Sequence, residues 1–394
     1  MPLSTPLEQP CATETSRRRL TIGLPKCDDP AERRFPLTPE GAAQLIERGF
    51  VVRMEADAAS VIHYADLSYQ KLGVEVTCRA EALGCDIVLY PATLSEADAR
   101  RMRRGAMLLT LVESACRNPR TLAELLRRHV ITLALDLVED CRGNTPFADI
   151  LAEIDGRASV AIASSLLADA VRGKGILLGG VAGIVPCEVL IVGSGIAACA
   201  AARSAMGLGA TVRMFDNDVY SLRRAWQELG SWVITSSLHP RTLASALRSA
   251  DVVVATPTAE PFALNADTVA TMKKGVLTFD LTPSSDGSAF PSMTPVDLAM
   301  ASAIESSARL NNRICFTHAG SAVARTAAMA LSNTLLTFLS SLASDDTHGS
   351  ASGLKLPPGI QKGALTFFGK AVHQRVAELL GVRIVDIAIY LSLS

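Results

Sequence analysis

The stretch VLIVGSGIAA, residues 189–198, decides the fold of this 394-residue chain. Four apolar residues form a short strand pattern, and a Gly-Ser-Gly turn then leads into the Ala-rich, helix-like run of residues 196–210. A second apolar run, residues 211–215, ends at Asp216, 21 residues after Gly195. A strand, a glycine turn, a helix and a second strand in this order are typical of a βαβ unit. The spacing therefore predicts one Rossmann unit that opens at Val189.

The residue types in this turn suit a dinucleotide. Gly193 permits the tight turn off the strand, Gly195 lets the backbone approach a pyrophosphate, and the helix start offers free N–H groups to the phosphates. Asp216 accepts hydrogen bonds from ribose hydroxyls and repels a 2′-phosphate, which favours NAD over NADP. The alternative is a glycine-containing turn without a ligand. The predicted cofactor-binding residues are Gly193, Ser194, Gly195, Ile196 and Asp216.

Apolar runs alternate with helical runs on both sides of this unit. Strands are predicted at residues 19–24, 50–54, 86–89, 107–112, 130–137, 188–192, 211–215, 232–235, 252–255, 276–281 and 314–317. Helices are predicted at residues 40–48, 95–104, 120–128 and 146–172, and a helical return is predicted for the C-terminal part. Alternation of this kind predicts an α/β fold with parallel sheets.

Composition narrows the classes of partner. The 38 basic and 39 acidic residues nearly cancel, so neither a nucleic acid nor an anionic membrane is expected as a partner. Nine cysteines without a C-x-x-C pair indicate reduced thiols, and no apolar signal segment stands at the start, so a cytoplasmic protein is expected. The six histidines are dispersed, which predicts no metal site.

One charge-free stretch, residues 326–344, is long enough to span a bilayer. Seven of its 19 residues are Ser or Thr, which lowers its apolar content. This composition favours a buried core helix over a transmembrane helix, and no membrane insertion is expected.

Beyond the dinucleotide segment, the chain resembles the family of alanine dehydrogenases and the alpha part of proton-pumping NAD(P) transhydrogenases. Opine-forming enzymes such as the saccharopine dehydrogenases are more distant. The likeness is carried by IGLPKCDDPAERRFPLTPEG at residues 22–41, GILLGGVAGIV at 175–185, the segment through Asp216, AVARTAAMALSN at 322–333, and the tail from residue 359 to 386.

The resemblance implies two domains, with a Rossmann domain inserted in a discontinuous α/β substrate domain. It places a flexible tail at residues 1–18, the substrate domain at 19–145 and 326–394, and the NAD-binding domain at 146–325. The cleft between them would hold nicotinamide and a small amino or oxo acid. A homo-oligomer is expected.

The resemblance also implies polar groups in this cleft, and several are changed. Arg34 matches an arginine that binds the substrate carboxylate. Ala92 lies in the stretch where the family carries a lysine, Glu113 stands in place of a histidine, and Ser284 stands in place of an aspartate. His318-Ala319-Gly320-Ser321 replaces an Asn-Met-Pro-Gly loop. Ordinary alanine dehydrogenation is therefore not expected.

Three hypotheses remain open. The first is an NAD-dependent oxidoreductase with a rebuilt pocket for an amino or oxo acid, including an opine-type reaction. In this hypothesis Arg34 binds the substrate and Glu113 is an acid/base. Tyr90 is a hydrogen-bond donor, and His318 acts from the nucleotide side. Each of these four residues also has a purely structural interpretation. The second is an NAD-binding pseudoenzyme with a regulatory or structural role. The third is a transhydrogenase alpha-like subunit, although residues 143–146 do not reproduce its glutamine-and-aspartate loop.

Overall fold

The computed structural model describes residues 19–30, 32–171, 173–283, 287–299, 314–343 and 356–387. The predicted tail at residues 1–18 and the candidate position Ser284 lie outside these ranges. In the described part of the chain the strands form two separate sheets, and α-helices pack on both. The predicted two-part α/β architecture is confirmed.

The first sheet has the order β15-β14-β6-β5-β4-β1-β2-β3. Its strands are β1 (Thr21–Leu24), β2 (Val51–Glu55), β3 (Glu75–Thr77), β4 (Ile87–Leu89), β5 (Met107–Thr110), β6 (Ile131–Ala134), β14 (Ala364–Phe367) and β15 (Lys370–Ala371). The helices around it are α1 (Pro39–Glu47), α2 (Asp66–Gln70), α3 (Arg79–Leu83), α4 (Glu96–Arg101), α5 (Val112–Cys116), α6 (Pro119–Arg127), α14 (Pro358–Gln361) and α15 (Gln374–Leu380), with single 3₁₀ turns at Ser60–Ile62 and Leu135–Leu137.

The C-terminal part is not purely helical, which corrects the sequence prediction. β14 pairs antiparallel with β6 and with β15 at the edge of a sheet whose other strands are parallel. The buried hydroxyl of Thr366 lies 2.8 Å from that of Thr132 and donates to the carbonyl of Val130 over 2.9 Å. A four-residue strand is stabilised by this distant partner rather than by its own sequence, so local periodicity did not reveal it.

The second sheet is parallel throughout, in the order β12-β13-β11-β10-β7-β8-β9. Its strands are β7 (Glu188–Val192), β8 (Thr211–Phe215), β9 (Val233–Ser236), β10 (Val252–Ala255), β11 (Leu277–Asp280), β12 (Thr294–Asp297) and β13 (Ile314–Thr317). Its helices are α8 (Ile196–Gly207), α9 (Val219–Leu229), α10 (Pro240–Ser249), α11 (Ala266–Ala270) and α12 (Ala319–Ala322). Apart from the added β12, this is the strand order of a Rossmann fold, as predicted.

Two long helices connect the sheets. In α7 (Pro146–Ala168), Phe147 packs in the core of the first sheet, whereas Ala163 packs in the core of the second. In α13 (Ala324–Ala343), Leu331 and Leu335 are buried in the first core, so the prediction of a core helix is confirmed. Within the described ranges no helix has the length and apolar content required to cross a membrane. The proposed domain limits at residues 146 and 326 stay a prediction.

Candidate functional site

The glycine turn lies at the point where the second sheet reverses its strand order. β7 is hydrogen-bonded to β8 on one side and to β10 on the other. The sheet therefore grows from β7 in one direction through β8 and in the opposite direction through β10. Such a switch point opens a crevice at the carboxyl ends of the strands, where ligands of open α/β sheets bind. Gly193 directly follows β7 and therefore lies at this crevice.

Gly193 is required by both backbone conformation and space. Its φ angle is +98°, and its amide donates a 2.8 Å hydrogen bond to the carbonyl of Phe215. A Cβ atom at this position would lie 2.1 Å from Oγ1 of Thr256. An L side chain would therefore meet backbone strain and a steric clash together.

Gly195 has room in front of it, which matches a cofactor cradle. It precedes α8 with a φ of −78°, and a Cβ built on it meets no heavy atom within 4 Å. The first amides of α8, from Ile196 onward, have no carbonyl of their own helix to bond to. An open space in front of a helix start suits a pyrophosphate, because free N–H groups and the helix dipole both favour anions.

Asp216 is fixed beside this turn. It directly follows β8 and is buried, as is Ser194. The hydroxyl of Ser194 donates to Oδ2 of Asp216 over 2.6 Å, and the amide of Asp218 donates to Oδ1 over 3.0 Å. Each carboxylate oxygen can accept more than one hydrogen bond, so the arrangement leaves capacity for ribose hydroxyls.

Helix α7 brings an acidic residue next to the glycine turn. Gly156 crosses α8 so closely that a Cβ on it would lie 2.2 Å from the carbonyl oxygen of Ala197. Asp155, its neighbour, accepts a 2.7 Å hydrogen bond at Oδ1 from the amide of Gly320. This close helix crossing sets the Asp155 carboxylate near the start of α8, in the wall of a cleft that Arg34 also lines.

A cleft of about 690 Å³ lies between the two sheets and receives residues from both. The first sheet and its loops contribute Glu32, Arg34 and Glu113, and the second contributes Asp280 and His318. Asp280 ends β11, and its carboxylate is occupied within its own loop by Thr282, Ser288 and the amide of Ala289. The cleft reaches the start of α8 at Ala197, whereas Ser194, Gly195 and Ile196 line a neighbouring pocket of about 260 Å³.

Arg34 lies in the cleft, as predicted, but its guanidinium is held by Glu32. The Nε atom donates to Oε1 of Glu32 over 2.8 Å, a terminal nitrogen bonds Oε2, and the Arg34 amide donates to Oε1 over 2.9 Å. This is a bidentate pair of the kind that arginine forms with a substrate carboxylate. The guanidinium is largely buried, and Glu32 occupies the place beside it that a substrate carboxylate would take.

Two further carboxylates face Arg34 from either side of the cleft. Asp136 follows β6, and its Oδ1 accepts the amide of Val112 over 2.9 Å. Burial raises the pKa of Asp136 and of Asp155, although the charge of Arg34 works in the opposite direction at both. Neither is bonded to a cation within the described part of the chain. Buried carboxyls with raised pKa are candidates for proton transfer.

Glu113 also lines the cleft, and its predicted role as an acid/base stays a prediction. It lies in helix α5 rather than at a strand end, because β5 stops at Thr110. Its Oε1 accepts a 2.8 Å bond from Arg375 of α15. Glu113 therefore joins the C-terminal helix to the cleft wall, and its charge is matched by an arginine.

The other two predicted catalytic residues are placed differently. His318 lines the cleft with a φ of +55°, and its Nδ1 lies 3.1 Å from Oδ2 of Asp297. Tyr90 is not among the described cleft residues: its ring is buried with Ala92 and Leu94, and burial raises its pKa to about 12. The Tyr90 oxygen accepts an N–H from Asp28, 3.4 Å away, so the structure does not support its predicted contact with substrate.

Sequence reasoning missed Glu32, Asp136 and Asp155. The available signal for Asp155 is a lone Asp-Gly pair inside an otherwise Ala- and Leu-rich helix. Glu32 stands two residues before Arg34, and nothing in the pattern shows whether that arginine faces a substrate or its own neighbour.

Comparison with known proteins decides the family. A model of the alanine dehydrogenase/PNT N-terminal domain matches residues 23–154, and the model of the C-terminal domain of the same family matches residues 159–374. The chain belongs to the alanine dehydrogenase/PNT family. The predicted resemblance is thereby confirmed over almost all of the described chain.

Curated alanine dehydrogenases align with the chain along nearly their full length. The enzyme of Mycolicibacterium smegmatis is 29% identical over 381 residues, which cover 95% of this chain and all of the relative. The enzyme of Geobacillus stearothermophilus is 27% identical over 373 residues, which cover 93% and 98%. Among solved structures, an L-alanine dehydrogenase superimposes with a TM-score of 0.79 at 24% identity over 92% of this chain and 99% of the other. A transhydrogenase from Sinorhizobium meliloti gives 0.71 at 21% identity over 90% and 99%. At these identities the structures establish the fold.

Proposed function

We propose that this member of the alanine dehydrogenase/PNT family is an NAD-dependent oxidoreductase that acts on the carbon–nitrogen bond of an amino acid or on the matching oxo acid, including opine-type products. The observation that carries the proposal is Asp155. Its carboxyl group has a raised pKa and lies in the cleft beside the dinucleotide turn. It supplies a proton-transfer group where the family lysine and histidine are absent.

The residues of the second sheet fit NAD. Gly195 and the start of α8 would hold the pyrophosphate, and Asp216, oriented by Ser194, would hold the adenosine ribose. A carboxylate at the end of β8 repels a 2′-phosphate, which favours NAD over NADP. When bound, NAD supplies the hydride acceptor or donor of the reaction.

Asp155 would manage the proton. In the direction of oxidation its carboxylate takes a proton from the substrate ammonium group, which leaves a neutral amine whose carbon can lose a hydride. The resulting iminium adds water and releases ammonium ion, and Asp155 then loses its proton to solvent. In the reverse direction the protonated Asp155 gives its proton to the newly formed amine. A raised pKa suits this role, because general acids and bases work best near the operating pH.

Steady-state assays test the proposal. Wild-type chain and Asp155→Asn are compared for NAD reduction with amino acids and amines, and for NADH oxidation with oxo acids plus ammonium. Turnover by the wild type that falls by about 10²–10⁴-fold in Asp155→Asn is expected for loss of a general acid/base. Absence of turnover with every substrate, despite NADH binding, would contradict the proposal.

A second candidate function is an NAD-binding protein without catalysis. It is favoured by one specific feature: Arg34 and Glu113, at positions where the family has substrate-binding and catalytic groups, are both neutralised by internal partners. In that case cleft substitutions such as Glu113→Ala would have little effect on a cellular phenotype that Asp216→Ala abolishes.

A cytoplasmic location and a homo-oligomeric state remain predictions, as does the lack of a metal. In the ranges that the structure describes, no group of three or more His, Cys, Asp or Glu side chains is arranged to hold a metal ion.

A further inference from the structure

The charge of the cleft carries information about its substrate. Among the described lining residues, six carboxylates face two arginines and one histidine: the acids are Asp29, Glu32, Glu113, Asp136, Asp155 and Asp280, and the arginines are Arg34 and Arg117. Arg375 reaches Glu113 from behind the wall. Among the residues that the structure describes, three arginines therefore stand against six acids, and acidic groups are in excess.

Each arginine at the cleft is already paired with an acidic residue of the chain. Arg117 lies 3.1 Å from Oδ2 of Asp29, and Arg34 is held by both oxygens of Glu32. The position that the family resemblance assigns to a substrate carboxylate is thus filled by a carboxylate of the chain itself. A substrate carboxylate would have to displace Glu32 from a buried bidentate pair, which is costly because a buried charge is left without a partner.

Asp136, Asp155 and Asp280 are the three acids of the cleft that pair with no arginine of the described chain. Asp280 is saturated by hydrogen bonds from its own loop, whereas Asp136 and Asp155 each accept a backbone amide and are bonded to no cation of the described chain. They approach Arg34 from different elements, the turn after β6 and helix α7. Negative groups that line a cleft of low dielectric concentrate cations in it.

We propose that the substrate of this cleft carries a net positive charge, as a diamine or a diamino acid does, and is not a neutral or acidic amino acid. This inference rests on the proposed function and refines the substrate of that same site. The substrate ammonium groups lie against Asp136 and Asp155, and Glu32 keeps Arg34 from binding a carboxylate.

Binding measurements on a charge series test this proposal. The full chain loaded with NADH is titrated calorimetrically with putrescine, L-ornithine, L-alanine and L-glutamate, which carry successively less positive charge. Putrescine and L-ornithine should bind about tenfold or more tightly than L-alanine, since one charge-assisted hydrogen bond is worth that much. L-Glutamate should bind most weakly, and added salt should reduce the differences in affinity among the four ligands.

Two substitutions sharpen the result. Asp155→Asn removes one negative charge from the cleft and should lower the affinity for L-ornithine more than that for L-alanine. Glu32→Gln frees Arg34 and should raise the affinity for L-alanine. Asp149→Asn is the matched control: Asp149 lies on the same helix, accepts a hydrogen bond from Thr145 and lines neither the cleft nor the pocket at the glycine turn, so the ranking should be unchanged.

Failure of this inference can be separated from failure of the proposed function. Binding of L-alanine or L-glutamate as tightly as L-ornithine to the wild type, or no binding by any of the four, would overturn the inference. Loss of NADH binding, with the charge ranking retained in the cofactor-free chain, would contradict the proposed function and leave the charge preference standing.

Discussion

The hydroxyl of Ser194 lies 2.6 Å from Oδ2 of Asp216, and both residues are buried. This hydrogen bond joins the glycine turn after β7 to the end of β8. The chain's own side chains therefore hold the glycine turn, proposed to face the pyrophosphate, and the carboxylate proposed to face the ribose in one arrangement. Such preorganisation reduces the ordering cost of binding.

The first prediction concerns these two residues. Asp216→Ala removes the proposed ribose acceptor and should weaken NADH binding by about ten- to hundredfold, the range for hydrogen bonds to a charged group. Ser194→Ala only loosens Asp216 and should cost less. NADH fluorescence titration measures the affinity of both variants. A parallel NADPH titration should show that Asp216→Ala prefers NADH over NADPH by a smaller factor than the wild type does. Equal affinity of the wild type for both cofactors would contradict the ribose assignment.

Gly193 and Gly195 allow folding and binding to be separated. Gly193→Ala meets Thr256 and a φ of +98°, so it should lower the free energy of unfolding by about 1–3 kcal/mol or more. The added methyl group of Gly195→Ala meets no heavy atom within 4 Å, and φ at this position is ordinary. The free energy of unfolding should therefore stay unchanged, while the affinity for NADH should fall. Denaturant unfolding and NADH titration of both variants check this. Unimpaired NADH binding by Gly195→Ala would exclude the turn as a pyrophosphate site.

Asp155 should limit stability while it supports function. Its folded-state pKa is raised, chiefly by burial, so the folded protein holds its proton more tightly than the unfolded chain does. The stability cost of ionised Asp155 is complete above the folded-state pKa and disappears below the unfolded value near 3.8. Asp155→Asn cannot ionise, and should therefore raise the melting temperature near neutral pH, with the gain shrinking toward about pH 4. A lower melting temperature at neutral pH would contradict this account. Asp149→Asn on the same helix is the control and should not raise the melting temperature.

Glu113 should matter less for chemistry than Asp155. Glu113 is held within the wall of the cleft, because Arg375 donates a 2.8 Å hydrogen bond to its Oε1. Glu113→Gln should therefore change kcat by less than about tenfold, well short of the loss expected for a general acid/base. The same assay on Arg375→Met should give a similarly small change. A hundredfold loss in Glu113→Gln alone would restore Glu113 as the acid/base.

Much of the fold follows from local sequence. β7, β8, β10 and β13 begin and end where the apolar runs do, because buried parallel strands need continuous apolar residues. β12 and β14 escape prediction because each is a four-residue strand, at the edge of its sheet or next to it, that gains its order from a distant neighbour. Thr366 and Thr132 are bonded across more than 230 positions of the chain.

The site is less predictable than the fold. The glycine turn and Asp216 could be located because each residue type has a backbone or electrostatic reason at its spacing. The state of Arg34 could not, since its partner depends on the side-chain conformation of Glu32. Asp155 gains its position from the close approach of Gly156 to α8 and of Gly320 to its carboxylate, and neither crossing is visible in one sequence.

The central claim is that this cleft transfers hydride between NAD and a carbon that bears nitrogen. The most direct measurement follows deuterium from the reactive carbon of labelled NADH into product by mass spectrometry, with ammonium and a panel of oxo acids and amino aldehydes. The account predicts carbon-bound deuterium in an amine product of the wild type and about a hundredfold less with Asp155→Asn. Tight NADH binding without label in any product would contradict it and favour a nucleotide-binding protein without catalysis.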